Sequence, residues 1–462
     1  MDVEGNAMMW NGRDFDFKII VLDDDPTGIQ CANGVYVYTD WSEETIEEIF
    51  EDGMTVSFLL TNSRSFSKEY TQEVHRFIAE RTAAIARRKN KRFLFFSRSD
   101  STLRWNYPVE SETLAKVLKE YNVIIDGEVI CPCFVEGGRF TVDDVHYILE
   151  AGKRIPVSDS EFARDSTFSF KNSDLKRYIE EKYQGEYTAA DCISVTQKEL
   201  RSGQLEQITK KLMSVSDFKK IIVNAETYED LRVFQICFLK ALSQGKLFLY
   251  RGAASFIRLF LDNPFPPLLE CDDLTDSENK NGGLIVVGSH VKKTRLQMEW
   301  IKRISNINML EFDNRLVLEP DKWRSEIQRI ASEANLLLGD GKTVCIHTRR
   351  ERLEVLGAGP EELLGISTQI SEGLVEVVKS LKIQPKYLIA KGGITSSDIG
   401  TKACQVKKAW VPGQIEKGIP VWKLGPKSRM PGTPYIIFPG NVGEEDTLYQ
   451  VIRKLEVHNE NN

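Results

Sequence analysis

Lys18-Ile19-Ile20-Val21-Leu22-Asp23-Asp24-Asp25-Pro26-Thr27-Gly28 is an apolar run that stops abruptly at three carboxylates, a proline and a glycine. A short continuous apolar run bounded by turn residues reads as a strand buried on both faces, the kind found in parallel sheets. Ligands of such sheets bind at the carboxyl ends of the strands, where these acids stand. Two carboxylates ~5 Å apart at an effective dielectric of about 20 repel by roughly 3 kcal/mol. A cation, a shared proton or a hydroxyl-rich ligand would offset that repulsion. A solvated acidic turn would carry the same residues, so the motif alone leaves both readings open.

Outward from this strand, similar runs lie at 35–38, 55–60, 92–96, 128–131, 220–223 and 246–250. Amphipathic stretches at 67–88, 109–121, 196–215 and 228–243 read as the helices between them. Buried strands alternating with helices predict an α/β fold with a mostly parallel sheet. Asn263-Pro264-Phe265-Pro266-Pro267 and the polar stretch after it predict a linker at about 262–283 with too little apolar surface to pack. The alternation then restarts, with strands at 284–287, 343–347, 386–390, 405–409, 420–424 and 435–438. Helices are expected at 291–304, 360–381 and 444–455. The expectation is two domains, 1–265 and 280–462, each with a mostly parallel or mixed sheet flanked by helices.

Composition narrows the function classes. The 462 residues are 41% apolar and 28% charged, a globular mixture that excludes collagen-like, coiled-coil and disordered chains. The net charge of −7 comes from interspersed signs, so no basic stripe exists for nucleic acid. The eight cysteines form no CxxC pair, which predicts reduced, buried thiols. Residues 1–12 lack a signal-peptide pattern, and no apolar run approaches the ~18 residues of a membrane span. A soluble, cytoplasmic protein is expected, with homodimerisation expected from base rates alone.

Further strand ends are rich in groups that bind polyols and anions. Thr61-Asn62-Ser63-Arg64-Ser65 offers a guanidinium fork for a carboxylate, although Ser65 or Ser67 would equally cap the next helix. Ser97-Arg98-Ser99-Asp100-Ser101-Thr102-Leu103-Arg104-Trp105-Asn106 combines hydroxyls, two arginines and a candidate general base, Asp100. Cys131-Pro132-Cys133-Phe134-Val135-Glu136-Gly137-Gly138-Arg139 has adjacent glycines that permit close backbone approach, and its two cysteines are too few to hold a metal. In the second half, Gly288-Ser289-His290, Lys391-Gly392-Gly393-Ile394-Thr395-Ser396-Ser397-Asp398 and Pro439-Gly440-Asn441-Val442-Gly443 resemble phosphate cradles rather than a P-loop.

Two families share parts of this pattern. Asp23-x-Asp25-x-Thr27 resembles the first motif of haloacid-dehalogenase-type phosphatases, which implies an Asp23 nucleophile, an Asp25 acid/base and Mg²⁺. Asp24-Asp25-Pro26-Thr27-Gly28, Asn62-Ser63-Arg64-Ser65, Asp100-Ser101-Thr102-Leu103-Arg104, Lys391-Gly392-Gly393-Ile394-Thr395 and Pro439-Gly440-Asn441-Val442-Gly443 together resemble the four-carbon acid sugar kinases, which act on threonate, erythronate and 3-oxo-tetronate. That resemblance spans about residues 17–455 in the family's order. It implies an N-terminal domain for the acid sugar, a C-terminal domain for ATP with Mg²⁺, and transfer across the cleft between them.

The implied roles follow the motifs. Arg64 with Arg98 or Arg104 would clamp the substrate carboxylate, Asp24 or Asp25 would orient hydroxyls, and Asp100 would take the proton. Asn62, Ser65, Ser101 and Thr102 would complete the substrate site. Ser289, Lys391, Gly392, Gly393, Ile394, Thr395, Gly440, Asn441 and Gly443 would hold the nucleotide; the metal ligands stay unassigned. Two positions depart from the family: Ile394 replaces a usual Glu, and Trp105 replaces a usual Gly and is expected to narrow or cover the substrate pocket. A ligand-binding protein of the same fold without turnover is the third reading.

Overall fold

The computed structural model describes residues 16–150, 152–276, 278–289, 291–349, 360–440 and 442–456. His290, Asn441 and the segment 1–12 lie outside the described residues. The chain forms two compact units, Met1–Cys31 with Asp40–Pro264 and Ala32–Thr39 with Phe265–Asn462.

In the first unit, β1 (Phe17–Asp23) is the quoted run. The next strand, β2 (Val35–Tyr38), belongs to the second unit. The first unit continues with β3 (Val56–Leu60), β4 (Arg92–Arg98), β5 (Gly127–Cys131), β6 (Arg139–Val142), β7 (Val145–Glu150), β8 (Lys153–Pro156), β9 (Ile193–Val195), β10 (Lys219–Val223) and β11 (Phe248–Gly252). Its main sheet is parallel throughout, in the order β3-β1-β4-β11-β5-β10-β9. Strands β6, β7 and β8 make a separate antiparallel sheet.

Local chemistry places the helices. In helix Lys68–Lys89 the Ser67 side chain caps the start, three basic residues occupy the last turn, and Asn90 ends it in the left-handed conformation at φ 51°. Helix Tyr228–Ser243 opens with a Thr227–Asp230 capping box. The single helix expected over 196–215 is instead two, Gln197–Arg201 and Leu205–Met213, because Gly203 between them has φ +72°.

The second unit contains β12 (Leu284–Val287), β13 (Ile307–Phe312), β14 (Thr343–Thr348), β15 (Leu388–Lys391), β16 (Lys408–Glu416), β17 (Ile419–Leu424) and β18 (Pro434–Phe438). Strands β13, β14, β12, β15 and β18 run parallel in that order, and β17, β16 and β2 extend the sheet antiparallel. Both sheets are flanked by helices, as expected for an α/β chain. The strand expected at 405–409 begins only at Lys408, since Gln405 has φ +51°, which no strand accommodates. The expected linker also packs: Cys271–Leu274 forms a helical turn, and Leu274 joins the core with Ile415, Ile419 and Leu455. No described helix is long and apolar enough to cross a membrane.

Candidate active site

Parallel pairing brings three of the polar strand ends together. Asp23, the last residue of β1, is in register with Leu60 of β3 on one side and Arg98 of β4 on the other. The Thr61 amide and hydroxyl both donate to the Asp23 carbonyl, at 2.8 and 3.0 Å. That anchors the turn Ser63–Ser65, which presents Arg64. Asn62 enters the turn left-handed at φ 57°.

The three acids meet two guanidinium groups. Arg64 Nη2 lies 2.6 Å from Asp24 Oδ1, and its Nη1 lies 3.3 Å from Asp25 Oδ2. Arg98 Nη1 lies 3.3 Å from both Asp23 Oδ1 and Asp24 Oδ1. Burial pushes Asp23 up to about 7, with Arg98 opposing and the neighbouring acids assisting. Burial also raises Asp24, against Arg64 and Arg98. Asp25 ends below its usual value, because Arg64 and the Thr27 hydroxyl outweigh its burial. The repulsion anticipated from the sequence is thus met by two cations and by a proton that Asp23 holds near neutrality.

Asp100 stands in the loop that follows β4. It accepts from Arg104 Nε at 2.8 Å and from the Thr102 hydroxyl. Burial works to raise it, but Arg64, Arg104 and these bonds hold it well below the usual carboxylate range. Ser101 is half-buried and Ser65 exposed. Each of the three arginines expected to clamp a substrate carboxylate is already paired with a carboxylate of the chain.

Trp105 is a core residue rather than an exposed loop residue: it is 3% exposed, packs with Leu103, Tyr107, Ile148 and Tyr178, and donates from its indole to the Asp100 carbonyl. An indole is too apolar to remain in a hydrated loop when a core lies beneath it.

Behind the loops runs a buried network that sequence reasoning missed. Glu110, 2% exposed, accepts from the Ser63 hydroxyl at 2.5 Å and pairs with fully buried Arg251. Arg251 Nη1 also donates to Ser97 Oγ at 3.0 Å. Asn106 Nδ2 donates to the Ser63 carbonyl at 2.7 Å. The turn carrying Arg64 and the strand end carrying Arg98 are therefore tied to one ion pair. A lone arginine inside the apolar strand Phe248–Gly252 was the signal available for it.

The glycine-rich strand ends of the second unit also converge, since β12, β15 and β18 are neighbours. A β-carbon on Gly288 would lie 2.4 Å from Thr395 Oγ1, and one on Gly392 3.3 Å from Ser289 Cβ. One on Gly440 would lie 3.5 Å from Ser289 Oγ. Lys391 is fully buried there, donates to the Pro439 carbonyl at 3.2 Å, and has no carboxylate partner among the described residues. Burial, with Lys293 adding to it, pulls its ammonium down to about 7. A buried cation without a counter-ion beside close-packed glycines fits a nucleotide's phosphates. Ile394 is 71% exposed and Gly443 adopts φ +81°.

Residues 19–259 match the sugar-binding N-terminal domain and residues 284–448 the nucleotide-binding C-terminal domain of one family. The chain belongs to the four-carbon acid sugar kinases. It is similar to a D-erythronate kinase of Heliobacterium modesticaldum, 24% identical over 93% of this chain and 95% of the relative. Two solved structures share its fold. One is a Salmonella typhimurium LT2 protein provisionally named a tRNA synthase (TM-score 0.69, 14% identity, 95% of this chain and 98% of the other). The other is a Haemophilus influenzae protein (TM-score 0.64, 16% identity, 95% and 100%).

Within this acid sugar kinase family member, the described residues hold no group of three or more His, Cys, Asp or Glu side chains able to bind a metal. All eight cysteines are buried and free. Asp23, the nucleophile of the phosphatase reading, is 1% exposed and closed in by Arg98 and Gly28.

Proposed function

We propose that this protein is an ATP-dependent kinase that phosphorylates a hydroxyl of a four-carbon sugar acid. The observation that carries the reading is the D-erythronate kinase relative, which aligns with 93% of the chain, through both units. The chemistry of the strand ends agrees with it. In the first unit, Asp24, Asp25, Asn62, Ser101 and Thr102 supply acceptors and donors for a polyol. Asp100 orients the attacking hydroxyl; its low basicity suits phosphoryl transfer, whose loose transition state asks little of a base.

In the second unit, the backbone amides around Gly392, Gly393 and Gly440, the Ser289 and Thr395 hydroxyls and the Lys391 ammonium hold the phosphates. Mg²⁺, brought by the nucleotide, supplies neutralisation of charge on the phosphate oxygens. The test is ADP release on mixing protein, Mg·ATP and each of the D- and L-erythronates and threonates. Acid-dependent ADP release that Asp100→Asn lowers by about 10²-fold, through loss of the hydroxyl's orientation, is the expected outcome. Release of phosphate from simple esters without ATP would instead favour the Asp23 phosphatase reading.

A further inference from the structure

Arg139 ends the stretch from Cys131 that carries the adjacent Gly137 and Gly138. It begins β6, where it is in register with Ile148 of β7, while Thr141 faces His146. Side chains two apart on a strand share a face, so Arg139, Thr141, His146 and Ile148 line one side of this small sheet. That side meets the Asp100 loop. His146 Nε2 lies 2.8 Å from the Ser101 carbonyl, and Ile148 packs with Leu103 and Trp105. A carbonyl only accepts, so His146 donates from Nε2 and takes the Thr141 hydroxyl at Nδ1, 3.0 Å away. Burial lowers this imidazole to about 4, which keeps it neutral and the bond in place.

Arg139 differs from every other arginine of this site. Arg64, Arg98 and Arg104 are each paired with an aspartate. No carboxylate among the described residues pairs with Arg139; Nη1 donates to the Gly137 carbonyl, and its buried Nε has no partner. The side chain is half-buried, and the charges of Asp100, Glu150 and Arg104 all act on it without any of them pairing with it. Arg98 Nε and Arg251 Nε lack partners too, so what sets Arg139 apart is a guanidinium beside the Asp100 loop with no paired carboxylate among the described residues, a group suited to an anion.

We propose that Arg139 receives the carboxylate of the sugar acid and so makes the protein select acids over neutral polyols. The three arginines that the motifs suggested hold the aspartates instead. This rests on the sugar-acid reading above, and the following test separates the two.

Binding of D- and L-erythronate, D- and L-threonate and the neutral polyol erythritol is measured calorimetrically, with ADP release followed in parallel. The wild type should bind one acid at least about tenfold tighter than erythritol. Arg139→Met should weaken that acid by about thirtyfold, leave erythritol unchanged and keep the wild-type urea midpoint. Arg139→Lys should fall between the two, since it keeps the charge and loses the fork.

Equal affinity of wild type and Arg139→Met for the acid overturns the assignment while leaving kinase activity standing. If Arg139→Met shifts the urea midpoint, Arg139→Lys decides: weakened acid selectivity supports the role and unchanged selectivity overturns it. Acid binding without ADP release removes the kinase reading, and the binding ratio still decides Arg139. No preference of the wild type for any acid overturns both.

Discussion

A β-carbon on Gly28 would lie 1.9 Å from Asp23 Oδ1. It would also lie 2.4 Å from Arg98 Nη1, so the turn after β1 closes directly onto the buried ion pair at the strand end. The glycine is needed for close approach and not for a special backbone angle. Gly28→Ala should displace Asp23 from Arg98, destabilise by about 1–3 kcal/mol in urea unfolding, and reduce sugar-acid affinity. An unchanged urea midpoint would show that the turn yields freely.

Glu110 and Arg251 should behave as a unit. Removing one partner leaves the other charge buried, at a cost of about 3–5 kcal/mol. Glu110→Gln or Arg251→Met is therefore expected to lower stability strongly, and the double variant to lower it by less than the two singles added. Denaturant unfolding of the four proteins measures this coupling. Additive losses would mean that Arg251 is held by Ser97 and its aromatic neighbours Trp105 and Tyr107 instead.

Asp23 sets a pH dependence of stability. Its folded value, about 7, exceeds the ordinary 3.8, so the native state binds the extra proton between these values. The stability it contributes is fully present below about 4 and is lost as pH rises through about 7. Asp23→Asn should flatten the fall in unfolding free energy between pH 5 and about 7, as measured by urea titrations at each pH.

Lys391 acts in the opposite direction. Its folded value, about 7, is below the ordinary 10.5, so the unfolded chain binds more protons between them. Stability should therefore rise with pH from about 7 to 10.5, a slope that Lys391→Met removes. Bound phosphates would restore the charge, so Mg·ADP binding at pH 8 should take up a proton. Calorimetry in buffers of different ionisation enthalpy reads that uptake, and its absence would place the phosphates away from Lys391.

Much of the framework was legible because parallel strands buried on both faces are continuous apolar runs. Residues 284–287 and 228–243 were read with the bounds the structure has, and most other elements that were read lie within a few residues of the reading. The small sheet of β6–β8, strands β9 and β13 and helix Pro320–Gly339 passed unnoticed. Strands β6–β9 are short, and β6–β8 are only partly buried, so their hydrophobic pattern is weak.

The sequence by itself determined which residue types stand at the strand ends, since acids, arginines, hydroxyls and glycines follow the apolar runs directly. Only the tertiary structure decided how they pair. Neighbouring strands are far apart in sequence, and pairing depends on the register that sets Asp23 beside Arg98. The same contacts sent Trp105 into the core, joined Glu110 to Arg251, and left Arg139 with an unsatisfied donor. Charge and burial act through space, and a sequence states neither until the chain has folded.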